Sequence, residues 1–161
     1  MSNAQSILSI GALLFLSLIS LRFNSSALEN ATVEVENKIY LTAFSLADDL
    51  IEEIKQKAFD AATVDFPTTN PADLTSAYSL GHGHWEVYPN YNDIDDFNGY
   101  TRTISVPHAE NYHVSCQVWY VSDTNPNTKV MTQTFYKKTE VTVTSPYLKD
   151  PVKLSFIFTL K

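Results

Sequence analysis

The chain has 161 residues, 44% hydrophobic and 12% aromatic, enough to bury one substantial core and too few for two large domains. Its formal charge is −7, with 11 Lys and Arg scattered against 18 Asp and Glu. No basic stripe is available to neutralise phosphates, so nucleic acid is not expected as a partner.

The first element is the run ILSIGALLFLSLISL, Ile7 to Leu21, which carries no charge and is followed by Arg22. As a helix it would extend roughly 22 Å, short of the ~30 Å hydrocarbon core of a bilayer. A span of this length suits an anchor that also packs against protein. Residues 1–27 are therefore read as an apolar membrane or assembly helix, with Ile7, Leu8, Ile10, Leu13, Leu14, Leu16, Leu18 and Leu21 as its contact residues. A signal-peptide core is the competing reading, with Ser25–Ala27 as the best cleavage site and no basic segment ahead of it.

From Leu28 the pattern becomes amphipathic. Val35, Ile39, Ala43, Leu46, Leu50 and Ile54 recur at three- and four-residue steps, while Glu34, Lys38, Asp48, Asp49, Glu52, Glu53 and Lys55 fall mostly elsewhere. No proline precedes Pro67, so one helix is expected from about Ser6 to about Ala61, amphipathic over 28–61. Residues 62–99 are rich in Pro, Gly, Asn and Asp and read as loops.

Over 100–161, β patterns dominate: Tyr100–Val106, Tyr112–Val121, Lys129–Tyr136, Lys138–Ser145 and Val152–Leu160 alternate or are rich in β-branched and aromatic residues. Turn signals separate them. The expected fold is α+β, a long amino-terminal helix packed on four or five antiparallel strands. The only cysteine, Cys116, can close no intrachain disulfide; it shares parity with Tyr112, Val114, Val118 and Tyr120 and reads as a small buried hydrophobe.

The loop region holds the residues with chemistry to offer. Asp93, Asp95 and Asp96 are either ligands of a Ca²⁺ ion or the carboxylates of a turn; anchored on Gly99, the EF-hand spacing fails because Ile94 and Ser105 fall at ligand positions. Asn98-Gly99 ahead of an alternating strand suits a turn that needs positive φ. His82 and His84, with His108 or His113, could hold a transition metal, but no Cys or carboxylate stands at a recognisable spacing. Trp85, Tyr88, Tyr91, Phe97 and Tyr100 either stack on a sugar or cover the small sheet. No nucleophile elbow or paired acid and base asks for an enzyme.

Three features taken together resemble the type IV pilin-like proteins of the minor pilin or pseudopilin type. They are an apolar helix continuous with an amphipathic one, the acidic DIDDFNGY element (Asp93–Tyr100), and the closing stretch YKKTEVTVTSPYLKDPVKLSFIFT (Tyr136–Thr159). The standard prepilin processing motif, a basic leader before Phe-Thr-Leu-Ile-Glu, is not found, and neutral Gln5 stands where a Glu would be sought. The resemblance implies a non-enzymatic subunit of a pilus-like filament or secretion pseudopilus. Such a subunit is held in the inner membrane before assembly and displayed at the cell surface afterwards, with copies of itself or related pilin-like subunits as partners and no cofactor beyond a Ca²⁺ ion. Two rivals remain: a monomeric membrane-anchored domain whose aromatic loop captures a glycan or peptide, and an exported enzyme with a cleaved signal.

Overall fold

In the computed structural model, which describes residues 3–107 and 109–160, α1 runs without interruption over Asn3–Ile54, 52 residues. Straight-chain and small residues dominate it, and Gly11 is its one glycine. Two compact units divide the chain, residues up to Lys38 and residues from Ile39 onward.

In the first unit every described residue is exposed. Three of its hydroxyls bond back to the helix: Ser9 Oγ donates to the Gln5 carbonyl at 2.9 Å, Ser17 Oγ to Leu13 at 2.8 Å and Thr32 Oγ1 to Leu28 at 3.0 Å.

In the second unit, α1 buries Ile39, Ala43, Ala47, Leu50, Ile51 and Ile54. That stripe starts one turn later than the periodicity suggests, because Val35 is exposed. The helix also ends earlier than Ala61. Gln56 and Lys57 tighten its last turn by donating to Glu53 and Ile54, and Ala58 then pairs with the loop, its N–H on Asn92 O and its carbonyl accepting from Ile94 N. Tertiary pairing overrides the helical propensity of Lys55–Ala58.

A four-stranded antiparallel meander follows, ordered β1-β2-β3-β4: β1 Thr101–Val106, β2 Ala109–Tyr120, β3 Tyr136–Thr144 and β4 Val152–Thr159. The fifth expected strand, Lys129–Tyr136, is a loop apart from Tyr136. It makes one bridge to Val121 and is then turned by Thr134, whose hydroxyl donates to Val121 O at 2.7 Å and accepts from Tyr136 N. Both flanks of β2 are already occupied, by β1 and β3, so the segment cannot pair along β2.

One sheet face is apolar and packs with the buried stripe of α1 in a single cluster. In register across it stand Val114 with Val143, Cys116 with Val141, Val118 with Thr139 and Tyr120 with Lys137. Val141 then faces Leu154 and Val143 faces Val152. Cys116 is buried as expected, and burial pushes its thiol up to about 12.

Candidate functional site

Two places in the molecule stand apart from ordinary surface and core. The first is the apolar half of α1. Ile7, Leu8, Ile10, Leu13, Leu14, Leu16, Leu18 and Leu21 are all exposed, Leu14 at 62%, and Phe15 and Ile19 extend the set. By length and composition this helix can cross a membrane. Ser25–Ala27 lies inside the helix, far from either end.

The second is the end of the core that receives the acidic stretch. Asp93 Oδ1 accepts the N–H groups of Asp95 (2.7 Å) and Asp96 (3.3 Å), starting the 3-10 turn Asp95–Phe97. Asp96 Oδ2 accepts from Asn92 N (2.9 Å) and Asp93 N (3.4 Å). These two carboxylates are thus spent on their own loop. Asn98 then fastens the loop to the sheet, its amide donating to Leu80 O and its carbonyl accepting from Val118 N. Gly99 takes φ +83° and leads into β1; Asn98 itself, at φ −70°, does not use the positive region. The three carboxylates are buried rather than solvated, and among the described residues no group of three or more His, Cys, Asp or Glu is placed to hold a metal ion.

Asp95 points the other way, toward Lys137. The Lys137 side chain is 0% exposed, and its ammonium lies 2.7 Å from Asp60 Oδ2, 2.5 Å from Asp95 Oδ1 and 2.8 Å from the Phe59 carbonyl. The rings of Phe59 and Tyr120 close over it at 4.6 and 5.2 Å. Two buried carboxylates therefore face one buried cation.

They are not equivalent. Burial opposes the charge on Asp60, but the Lys137 ammonium and the N–H groups of Ala62 and Thr75 outweigh it, leaving the carboxyl below its usual range. The Thr75 hydroxyl (3.0 Å) and the Tyr120 hydroxyl (3.1 Å) complete the Asp60 shell. Asp95 has no such shell: among the described residues the Lys137 ammonium is the one polar group on its oxygens. Burial raises it to about 7 against the pull of Lys137. Asp93 is raised to about 6, by burial first and then by the charge of Asp96.

Neither Lys137 nor Asp60 was marked out by motif, since they stand 77 residues apart. Parity could have found Lys137, which continues the inward series Val143, Val141, Thr139 of β3.

The remaining expected groups disperse. His82 stacks on Tyr91, His84 meets the edge of Trp85, and His113 lies 3.4 Å from the Thr103 hydroxyl; His108 lies outside the described residues. Tyr91, Phe97 and Tyr100 are buried against one another with Tyr88 at their margin, whereas Trp85 is 90% exposed.

The fold is a long helix, apolar in its first part, that packs in its last part on an open four-stranded antiparallel sheet, an arrangement compatible with a pilin-like architecture. The chain matches no model of a known protein family, no curated protein and no solved structure.

Proposed function

We propose that this protein is a structural subunit of a pilus-like filament or secretion pseudopilus, assembled through the apolar half of α1. One observation carries the reading: an uncharged helical run of large apolar residues, all exposed, continues without a break into the helix that packs on the sheet. Soluble proteins do not leave an apolar face of this extent in water. A bilayer can cover it, and so can equivalent helices of other copies. A segment somewhat short for a bilayer serves both surroundings in turn.

On this reading Ile7, Leu8, Ile10, Leu13, Leu14, Leu16, Leu18 and Leu21 retain the subunit in the membrane and then form helix-to-helix contacts in the filament. The sheet unit is the displayed part, and no catalytic role is assigned. Capture of a glycan by the aromatic loop has less support, since three of its five rings are buried against each other. The test is Leu14→Asp. A charge at the middle of the apolar run opposes lipid insertion by about 2.5–3.5 kcal/mol and opposes apolar packing as well. Electron microscopy of sheared surface appendages should then show loss of the protein from filaments, with the sheet unit still folded by circular dichroism. Normal filaments built from this variant would refute the reading.

A further inference from the structure

The Lys137 pocket contains an arrangement that an ion pair alone does not explain. Buried carboxylate oxygens in folded proteins almost always accept hydrogen bonds. Oδ2 of Asp95 accepts none, and Oδ1 has only the Lys137 nitrogen, at 2.5 Å. Asp60, on the same nitrogen, is held by donors from Ala62, Thr75 and Tyr120. One carboxyl is thus locked by its donors, and the other is in contact with an amine and bound by nothing else.

We propose that Lys137 and Asp95 become joined by an amide bond formed within the folded chain, with Asp60 as the proton-transferring carboxylate. The enclosure favours neutral partners over a separated charge pair. A proton passing from the ammonium to Asp95 leaves a free amine beside an uncharged carboxylic acid, the form in which a carboxyl accepts a nucleophile. The raised affinity of Asp95 for a proton agrees with this.

The Nζ lone pair then forms the C–N bond to Cγ of Asp95. Asp60 takes a second proton from the nitrogen and passes it to the departing hydroxyl; the C–O bond breaks and one water leaves. The nitrogen keeps one hydrogen, Asp60 ends as the carboxylate it was, and no oxidant, reductant or activated donor is consumed. Fixed proximity supplies the rate that the free groups lack in solution. Loss of Asp95 Oδ2 removes no donor's partner, whereas acylation through Asp60 would take away an oxygen that accepts from Thr75 N and the Tyr120 hydroxyl. The bond would tie the 3-10 turn after Asp93 to β3, closing a covalent loop through the core independently of what the apolar helix does.

The experiment is proteolysis of the purified full chain followed by tandem mass spectrometry. The expected result is a branched peptide joining residue 95 to residue 137, lighter by one water than its two linear parts. Linear peptides carrying an unmodified Lys137 would overturn the proposal, and a branch at residue 60 would overturn the assignment of roles. In Lys137→Arg no branch should form. In Asp60→Asn, which keeps an acceptor in place, the branched fraction should fall at least tenfold while circular dichroism stays native. A wild-type branched fraction in folded Asp60→Asn would remove Asp60 from the mechanism. Should that variant not fold, the wild-type peptide map still decides the existence of the bond.

Discussion

At the scale of single residues, Lys137 carries the largest consequence, since its nitrogen faces Asp60 and Asp95 in a pocket closed by two rings. Lys137→Ala should destabilise the sheet unit by about 3–5 kcal/mol, the typical effect of leaving a buried charge without its partner. Lys153, whose contact to Glu140 at 3.1 Å lies at the surface, should lose less than about 1 kcal/mol on the same change. Denaturant unfolding followed by tryptophan fluorescence separates the two; equal effects would mean that the pocket contributes no more than a surface pair. Asp93 sets a pH dependence of definite sign. Its folded value of about 6 lies above the ~3.9 of an unfolded chain, so the folded state binds the proton more tightly. Stability from this group is therefore greatest in acid and falls as pH rises from about 4 through about 6. Melting temperatures across that window should show the fall, and Asp93→Asn, which keeps the acceptor for the Asp95 and Asp96 N–H groups, should lessen it, the raised Asp95 and Asp96 accounting for what remains. These carboxylates were legible as a cluster and illegible as a site. The partner of Asp95 is a lysine in a strand whose start was read at Lys138, two residues too late, and nothing local to Asp60 tells that it is buried.

At the scale of elements, periodicity carried the reading where an element packs on one side only. The alternation of β2 and β3 and the later turns of α1 have one buried face and could be followed in the sequence. It failed at two boundaries, for different reasons. Lys55–Ala58 is good helix sequence, but Ala58 pairs with distant loop residues; Lys129–Phe135 has strand-like composition, but it follows β2 directly and both flanks of β2 are taken. Gly99 was legible, and its value can be measured. An added Cβ meets no atom within 4 Å, so Gly99→Ala is opposed only by the backbone at φ +83°. A loss of about 1–2 kcal/mol is expected in thermal or denaturant unfolding. A much larger loss would point to crowding that the open surroundings of this residue do not contain.

At the scale of the whole molecule, every core residue lies at or beyond Ile39. A fragment beginning at Leu28 should therefore fold with the same unfolding midpoint as the full chain and sediment as a monomer in the absence of detergent. Aggregation or a lowered midpoint would show that the earlier turns support the core. The helix hydroxyls bear on the other half of the chain. With Ser9, Ser17 and Thr32 each bonded to a carbonyl one turn back, these groups ask nothing of their surroundings. In the assembly proposed above, moving such a helix out of lipid and into a bundle of its own kind leaves these three donors satisfied on either side of the step. For these three groups the proposed exchange then turns on shape and dispersion rather than on hydrogen bonds made or lost.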